Sequence, residues 1–582
     1  MSTGRWISIL ATLFGVLSLI SSSFSEPAPY RTFAKDATLA PPLVFYDYIV
    51  IGGGTSGCAL AATLSQGATV LVLERGGLPY ADPNITDLTG FAANLADTSP
   101  SSPAQQFVST DGVINHRGRV LGGGTAINAG FYSRASTEYV ARAGWDQKLA
   151  NESYEWVENK VVFEPVVGGW QSALRNGLLE SGQFPYNYFT YEHHRGTKVG
   201  GTIFDQNGYR HTAADLLEYA DPKSITVYLH ATVQQILFRP QGLGRPKANG
   251  VVFTDSYGRR HVASLYRGAM NEIILTAGAL GSPQILMLSG IGPAQHLRAH
   301  NIKVVLDQPQ VGQGMADNPM NAIVVPSPRP VETSLIQVVG ITDFGCYIEG
   351  ASGPVGFDWV HGLNQQFQKI TNQTSEPYTV RSNQTNDISG PDEAEAIEIG
   401  NLYDATRRSG IILEKVTGPY STGHLELYST NPNDNPVVTF NYFKDPRDLE
   451  RCVQGMETIR RIINSLSFTS FRYPLTPVQA LINSMLTFPV NLRRKRITAA
   501  FSMEHYCEDT VMTIWHYHGG CQVGKVVDSN YRVIGVDSLR VIDGSTFYES
   551  PGTNPQATVM MLGRYMGQRI LAQRNSKGMK KQ

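Results

Sequence analysis

The sequence predicts an α/β fold, in which a parallel sheet is intertwined with a second part of the chain. Two observations lead to this prediction. A strand, a glycine cluster, a helix and a second strand follow one another over residues 46–74, the order of a β-α-β unit. Buried-strand patterning returns at residues 539–542, ahead of a helix over about 557–574. The chain of 582 residues is therefore expected to leave the sheet and return to it.

The β-α-β unit carries a glycine pattern that suits a pyrophosphate. Gly52-x-Gly54-x-x-Gly57 follows the strand Tyr46–Ile51 and opens a helix over about 55–65. Gly52 permits the tight turn, Gly54 lets the backbone approach the ligand, and Gly57 lets helix and strand pack closely. The helix N-terminus adds free N–H groups and the positive end of its dipole. This pattern predicts a Rossmann-type dinucleotide site.

A carboxylate at the end of the second strand agrees with such a site. Glu74 follows the strand Thr69–Leu73 and can accept hydrogen bonds from ribose hydroxyl groups. Its charge disfavours NADP, whose 2′-phosphate it would repel. A glycine-rich turn without a ligand is the alternative. The unit alone does not decide between FAD and NAD.

The N-terminus has the features of a secretory signal. Residues 1–25 contain one charge, Arg5, then an apolar run over 7–20 and a small-residue region before Glu26. A membrane anchor is the alternative, but the run is short for a span. We expect a secreted protein without a stable membrane span. Four glycan acceptor sites agree with secretion: Asn84, Asn151, Asn372 and Asn383.

Charge and cysteine content disfavour other classes of protein. The formal net charge is −1, and no basic patch favours a nucleic-acid partner. The five cysteines include no CxxC pair and no zinc spacing, and we predict no metal site. An odd number leaves at least one thiol unpaired. Cys452 and Cys507 are candidates for a disulfide, which the sequence alone does not establish.

Four further motifs are spread along the chain. Residues 117–128, RGRVLGGGTAIN, resemble the signature RGxxLGGSSxxN, with Gly-Thr in place of two serines. Residues 278–292, GALGSPQILMLSGIG, match a second signature at every defined position. Residues 311–319 resemble VGxGLxDHP, with Asn for His, and 536–545 resemble VDxxLRVxDxS. The sequence is thus similar to the glucose–methanol–choline (GMC) oxidoreductase family, in its hydroxynitrile-lyase and HOTHEAD-like branch.

The resemblance implies the fold class, the cofactor and the division of the chain. We expect a Rossmann-type, GMC-type FAD-binding domain intertwined with an α+β substrate domain built on an antiparallel sheet. The implied segments are a signal peptide at 1–25, the first part of the FAD-binding domain at 46–325, a substrate domain at 326–500, and a return to the FAD-binding domain at 501–575. Residues 80–110, rich in Pro, Ser, Thr and Asp, are expected to form mostly loop.

The resemblance also implies the residues that contact FAD. The glycines before Thr125 allow close backbone approach, Asn128 offers an amide to the flavin edge, and Val233 takes the place of a backbone contact to adenine. Ile127 stands where some members carry the histidine that attaches FAD covalently, so we expect non-covalent FAD. The implied contact residues are Gly52, Gly54, Thr55, Ser56, Gly57, Glu74, Arg75, Val120, Gly124, Asn128, Ala129, Gly130, Phe131, Val233, Trp515, His516, Asp543, Gly544, Pro555 and Gln556.

Two residues are the candidates for catalysis. His516 begins HYHGGCQVG, which resembles the segment HPxGTCxMG that holds the general base of the family. An imidazole titrates near neutral pH, so it can take a hydroxyl proton and return it. Asn554 stands in the place of the second polar partner, and it can orient a substrate oxygen but cannot act as a base. The implied reaction sends the carbon-bound hydrogen as a hydride to flavin N5.

Other interpretations of these residues stay open. His516 could be a buried structural histidine, or it could bind a metal together with His518. The chain could also bind flavin without turnover. Alcohol oxidation, for example of a long-chain hydroxy fatty acid by a dehydrogenase or oxidase, is the favoured reaction. The alternative is non-redox cleavage of a cyanohydrin such as mandelonitrile, with a structural FAD.

Three residues bear on the choice between these reactions. Ile514 stands where the lyase pattern has a tyrosine, and Asn554 where it has a histidine, which favours oxidation. Cys346 matches a substrate-lining cysteine of the lyases, with a buried apolar role as the alternative. We expect a monomer whose partner is a small-molecule alcohol or cyanohydrin.

Overall fold

A computed structural model describes residues 29–239, 244–353 and 408–579 of the chain. The predicted signal segment and the glycan acceptors Asn372 and Asn383 lie outside these residues. Asn84 is exposed and Asn151 is partly exposed. Within the described residues, no helix is both long and apolar enough to cross a bilayer.

A six-stranded parallel sheet forms the first layer of the fold, and every neighbouring pair of strands in it is parallel. Its order is Ala34–Asp36, Ile225–Leu229, Val70–Leu73, Tyr48–Ile51, Glu272–Leu275 and Leu539–Val541. The last four strands are fully buried, as expected for parallel strands covered on both faces. The edge strand from the far end of the chain confirms the predicted return.

Two helices pack closely against each other beside this sheet. Helix Thr55–Leu64 lies against the C-terminal helix Gln556–Met579. A Cβ atom at Gly563 would lie 2.3 Å from the Ser56 backbone oxygen, so only glycine allows this approach. The contact joins the first helix of the predicted dinucleotide unit to the last helix of the chain.

A seven-stranded, mainly antiparallel sheet forms the second part. Its order is Met512–Thr513, Pro319–Pro326, Ser409–Val416, Cys346–Ser352, Val338–Ile341, Gly196–Val199 and Tyr186–Phe189. Only the last pair is parallel. The sheet confirms the expected fold class. It takes strands from both sides of residue 325, and the domain boundaries stay a prediction.

Smaller sheets and helices complete the described chain. The other strands are Leu43–Tyr46, Thr232–Arg239, Lys247–Thr254 and Arg260–Leu265 in one sheet, Gln313–Met315, Gly423–Glu426 and Val437–Thr439 in another, and the pairs Phe131–Tyr132 with Gly201–Thr202, Ile291–Gly292 with Leu306–Asp307, and Ala104–Val108 with Ile114–Gly118. The remaining α-helices are Pro83–Thr86, Phe91–Ala96, Thr137–Arg142, Gln147–Val161, Gly169–Glu180, Gly278–Leu288, Ala294–Ala299, Pro446–Asn464, Val478–Met485 and Met503–Thr510. Short 3-10 helices occupy Pro29–Thr32, Ala37–Leu39, Pro79–Ala81, Leu88–Gly90, Gly123–Ala126, Ala213–Tyr219, Leu466–Phe471, Ile497–Ala500 and Gly544–Thr546.

The expectation that residues 80–110 form mostly loop is wrong. They contain helices Pro83–Thr86 and Phe91–Ala96 and the strand Ala104–Val108. The side chain of Asp82 caps the first helix by accepting the Asn84 N–H. Phe91 and Leu95, four residues apart on the second helix, are buried.

The candidate disulfide between Cys452 and Cys507 is present. It joins helix Pro446–Asn464 to helix Met503–Thr510 and closes a sequence separation of 55 residues. The other three cysteines, Cys58, Cys346 and Cys521, are buried free thiols.

Candidate active site and cofactor cavity

One large cavity collects nearly all the predicted site residues. With its open mouth it encloses about 1760 Å³ of empty space. Of the predicted residues, those that line it are Gly52, Gly54, Thr55, Ser56, Glu74, Arg75, Val120, Gly124, Asn128, Ala129, Gly130, Phe131, Val233, Ile514, Trp515, His516, Asp543, Gly544, Asn554, Pro555 and Gln556. Gly57 and Cys346 do not line it.

Glycines around the N-terminus of helix Thr55–Leu64 form a cradle in which backbone segments approach more closely than larger residues would allow. Gly52 has φ +105°, a left-handed conformation that favours glycine. Gly57 packs behind the cavity, where a Cβ atom would lie 2.0 Å from the Gly52 backbone oxygen. Gly123 has φ +58°, and its Cβ would lie 2.8 Å from Gly54 Cα. The two glycine clusters therefore meet, backbone to backbone, at the start of the helix.

Glu74 has a structural task that the sequence did not reveal. One carboxylate oxygen accepts the Gly53 N–H at 2.9 Å, and the other accepts the Gly76 N–H at 2.8 Å. Burial raises the pKa of this carboxyl, and the hydrogen bond from Gly76 opposes the rise. Each oxygen retains a lone pair, so the carboxylate can still accept from a ribose hydroxyl.

Two arginines bring positive charge to the cavity. Arg75 and Arg117 both line it and both donate to Gln105 Oε1, at 2.7 Å and 3.2 Å. Neither makes an ion pair within the described residues. Burial lowers the pKa of Arg75 to about 10 and that of Arg117 further. Guanidinium groups that have no carboxylate partner suit an anionic ligand.

Asn128 is already engaged within the protein. Its Nδ2 donates to Gln556 Oε1 at 2.9 Å, and its Oδ1 accepts from the Gly130 N–H and from Arg210. Gln556 in turn donates to the Phe131 carbonyl at 2.6 Å. Only one amide hydrogen of Asn128 therefore remains for the predicted donation to the flavin edge.

Asp543 ties the C-terminal strand to a second helix N-terminus at the cavity. Its Oδ2 accepts from the Gly278 N–H at 2.9 Å and from Ser282 Oγ at 2.6 Å. Its Oδ1 accepts from the Ser545 N–H. Burial raises the pKa of the Asp543 carboxyl, and these donors oppose the rise.

A buried carboxylate fixes the backbone that carries His516. Trp515 has φ +59°, a conformation that is strained for a bulky residue. Its N–H donates to Thr513 Oγ1 at 2.8 Å, and the N–H of His516 donates to Asp317 Oδ1 at 3.0 Å. Thr513 and Tyr442 hydroxyl groups donate to the other Asp317 oxygen. This network holds the turn that places Trp515 and His516 at the cavity.

The environment of His516 keeps its imidazole neutral. Burial, then the charge of Lys415 and then His518, hold the pKa of His516 well below its ordinary value. Its Nδ1 is buried and has no hydrogen-bond partner within the described residues. A neutral imidazole with unused polar atoms is suited to accept a proton from a ligand in the cavity.

Asn554 is held from behind by a buried ion pair. Lys415 Nζ donates to Asn554 Oδ1 at 3.1 Å and to Glu349 Oε1 at 2.8 Å. Neither charged side chain is exposed. Within the described residues the Asn554 Nδ2 group has no acceptor, so it is the part of the amide left for the cavity.

The structure does not support the predicted substrate contact of Cys346. Its thiol lies in the seven-stranded sheet, 3.5 Å from Glu414 Oε2 and 3.2 Å from the Arg451 carbonyl oxygen. Strand pairing turns it away from the cavity wall, and the alternative of a buried small residue agrees with this position.

A metal pair of His516 and His518 also lacks support. The Nδ1 of His518 lies 2.9 Å from the His516 carbonyl oxygen, and His518 does not line the cavity. No cluster of three or more metal-ligating side chains occurs among the described residues.

The sequence missed Lys415, Glu349 and the role of Asp317. Lys415 and Glu414 interrupt an otherwise apolar run over 411–416, and this was the available signal. Their partners lie far away in the sequence, by 139 residues for Lys415 and Asn554. Such pairs follow from the fold and not from local pattern.

Comparison with known proteins identifies the family. The profile described as GMC oxidoreductase matches residues 46–320, and a second one with the same description matches residues 419–563. The protein HOTHEAD of Arabidopsis thaliana is 52% identical over 536 residues, which cover 91% of this chain and 88% of the relative. The chain is a GMC oxidoreductase family member.

Other relatives of this GMC family member have names that refer to different reactions. An (R)-mandelonitrile lyase-like protein of Arabidopsis thaliana is 47% identical, covering 94% of each chain. Sinalpyl alcohol oxidase Nec3 of Nesocodon mauritianus is 41% identical, covering 94% of this chain and 92% of the relative. The solved structure of pyridoxine 4-oxidase from Mesorbium loti has a TM-score of 0.69 at 20% identity, over 90% of this chain and 98% of that one, and shares the fold.

The cavity fits FAD, the cofactor that the family supports. The glycine cradle admits a diphosphate, Arg75 and Arg117 offset its charge, and Glu74 can accept from a ribose. His516, whose buried Nδ1 has no hydrogen-bond partner within the described residues, lines the same cavity. These residues could hold a dinucleotide with its reactive ring beside His516.

Proposed function

We propose that this protein is a secreted, FAD-dependent oxidoreductase that oxidises the carbinol carbon of an alcohol. The observation that carries the proposal is that a neutral, buried imidazole and a free amide N–H group line the cavity that also holds the dinucleotide cradle. FAD, when bound, supplies the acceptor for the hydrogen that leaves the carbon with its bonding electrons.

The two candidate residues have complementary tasks. The Asn554 Nδ2 group donates to the hydroxyl oxygen of the substrate and orients it. The His516 imidazole accepts the hydroxyl proton as the carbon–oxygen double bond forms. Because burial and Lys415 keep the imidazole neutral, it is ready to accept that proton at neutral pH.

The cavity wall indicates the class of alcohol. Apolar side chains of Phe131, Ile336 and Ile514 line it, so an aromatic or long-chain alcohol, such as a hydroxy fatty acid, fits better than a sugar. The similarity to sinalpyl alcohol oxidase Nec3 of Nesocodon mauritianus agrees with this choice. FAD is held without a covalent link at Ile127, since that side chain is a hydrocarbon.

A lyase that cleaves cyanohydrins is the second candidate, favoured by the similarity to a mandelonitrile lyase-like protein. Ile514 lines the cavity and offers no hydroxyl group to a cyanohydrin.

The N-terminal pattern supports the proposal that the protein is secreted. We also propose that it acts as a monomer.

One experiment separates these reactions. The purified yellow protein is mixed anaerobically with cinnamyl alcohol, a long-chain ω-hydroxy fatty acid or mandelonitrile, and the visible absorption of its flavin is followed. Bleaching by an alcohol supports the oxidoreductase. Release of benzaldehyde and cyanide without bleaching would identify a lyase instead.

A further inference from the structure

A buried ion pair stands directly behind Asn554. Lys415 lies on strand Ser409–Val416, and Glu349 lies on the neighbouring strand Cys346–Ser352. Their charged atoms are 2.8 Å apart, and neither side chain is exposed to solvent. Burying two charges costs free energy, and such a pair stabilises a fold little compared with apolar residues of the same size. Its presence therefore calls for another explanation.

The hydrogen bonds of Lys415 indicate what the pair does. Besides Glu349, the ammonium group donates to Asn554 Oδ1 at 3.1 Å, and the Tyr347 ring lies 5.6 Å away. An ammonium group has three donors and no acceptor, so it can face only the oxygen of an amide. Reversing the Asn554 amide would bring its NH2 group against the ammonium.

The fixed amide leaves one group for the ligand. Asn554 lines the cavity, its Oδ1 is taken by Lys415, and its Nδ2 has no acceptor within the described residues. We propose that Lys415, held in place by Glu349, is a positioning residue that orients Asn554 so that its amide donates to the hydroxyl oxygen of the substrate. The inference rests on the proposed function for the identity of that ligand.

This arrangement sets the direction of the substrate hydroxyl. An oxygen that accepts from Asn554 Nδ2 has its own proton free to point elsewhere, and His516 in the same cavity is the acceptor. Burial lowers the pKa of Lys415, and the charge of Glu349 opposes that change. Beyond the effect of burial, the charge of Lys415 also lowers the pKa of His516.

A double-mutant cycle tests the inference on the FAD-loaded protein. The probe is 2-phenyl-2-propanol, a tertiary alcohol that has no hydrogen on its carbinol carbon. Its affinity is measured by calorimetry for the wild type, Asn554→Ala, the pair Glu349→Gln with Lys415→Met, and the triple variant. We expect Asn554→Ala and the pair variant each to bind about three- to tenfold more weakly, from the loss of one hydrogen bond.

The triple variant decides the question. If Lys415 acts through Asn554, the triple variant binds no more weakly than Asn554→Ala, because the lost contact is the same one. Wild-type affinity in the pair variant, or a loss that adds fully to that of Asn554→Ala, would overturn the inference. Glu414→Gln is the control, since Glu414 lies next to Lys415 on the strand and points to Cys346. It should bind the probe as the wild type does.

Two further measurements keep the test decisive. If the pair variant fails to fold, judged by its thermal unfolding and bound FAD, a crystal structure of the wild type with the probe replaces the cycle. The probe oxygen must then lie within hydrogen-bond distance of Asn554 Nδ2, with Oδ1 facing Lys415, and any other arrangement contradicts the inference. Probe binding needs no turnover, so failure of alcohol oxidation would refute the proposed function separately.

Discussion

His516 depends on residues that lie far from it in the chain. Asp317, 199 residues earlier, accepts its backbone N–H, while the Thr513 and Tyr442 hydroxyl groups donate to the same carboxylate. These bonds hold Trp515 in its left-handed conformation, which would otherwise cost on the order of 1–3 kcal/mol. The position of the proposed base is thus set by a buried acid that does not line the cavity.

Replacing Asp317 by Asn should disturb this turn. The amide turns an NH2 group toward donors that now have no acceptor, so we expect the free energy of unfolding to fall by about 1–3 kcal/mol. The rate of flavin reduction should fall as well, because His516 loses its anchor. Urea unfolding and anaerobic stopped-flow absorption measure the two effects. Thr513→Ser keeps the hydroxyl donor and serves as the control. Unchanged kinetics in Asp317→Asn would remove Asp317 from this role.

The electrostatics of His516 predict the pH dependence of the reaction. Burial and Lys415 hold its pKa well below 6.5, so the neutral, proton-accepting form persists as the pH falls below that value. The kcat/KM profile should therefore have its acid limb below pH 6.5, since this profile reports the free enzyme. An acid limb at or above 6.5 would show that the imidazole is protonated more easily than its surroundings imply.

Where a motif supplied the register, the sequence pointed to residues that the fold brings to one cavity. His516 and Asn554 were found in this way, and both line the cavity. Cys346 was matched by the same reasoning, but strand pairing places it against Glu414 and not in the cavity wall. Lys415 carries no motif, and its contact with Asn554 arises only when a strand and a loop 139 residues apart meet.

At the scale of elements, the glycine cradle depends on backbone contact between two segments. Gly123 lies against Gly54, and its positive φ adds a second reason for glycine. Gly124, one residue on, has no positive φ, and a Cβ there would lie 3.8 Å from Thr55 Oγ1, an ordinary contact. Neighbouring glycines of the same motif therefore differ sharply in whether the protein around them leaves room for a Cβ atom.

This difference can be measured with two single variants. Gly123→Ala should lose most of its bound FAD and about 1–3 kcal/mol of unfolding free energy through overpacking and strain. Gly124→Ala should keep its stability to within about 0.5 kcal/mol, since its protein neighbours leave room for a methyl group. The ratio of flavin to protein absorbance and the thermal unfolding temperature are the readouts. An equal loss of unfolding free energy in both variants would contradict the cradle geometry.

Local patterns predicted the β-α-β unit well, because its strand, turn and helix are adjacent in sequence. The same approach failed for residues 80–110. There the polar composition concealed Phe91 and Leu95, which fold onto the core at helical spacing. Composition averaged over thirty residues is a poor guide where two apolar side chains decide the local structure.

At the scale of the whole molecule, the cavity is built from nearly the full described length of the chain, from Ile51 to Val559. Sequence periodicity could not have predicted which residues meet in this cavity. The motifs of the family pointed to most of the site residues that line it. The disulfide between Cys452 and Cys507 ties two helices of the second part together.

Removing this disulfide should weaken the fold without touching the site. The variant Cys452→Ala with Cys507→Ala is expected to lose about 2–4 kcal/mol of unfolding free energy, because the unfolded chain gains freedom. Urea unfolding measures the loss, and Cys346→Ala serves as a control without a disulfide. If a reductant leaves the wild-type unfolding curve unchanged, the bridge does not contribute to stability in solution.

His516 is proposed to take the hydroxyl proton of an alcohol beside a bound flavin. The most direct measurement is the anaerobic rate at which cinnamyl alcohol bleaches the flavin in the wild type, in His516→Ala and in His518→Asn. We predict that His516→Ala keeps its yellow colour and is bleached about 10²- to 10⁴-fold more slowly, while His518→Asn stays close to the wild type. Equal bleaching rates in the wild type and His516→Ala would contradict this role of His516.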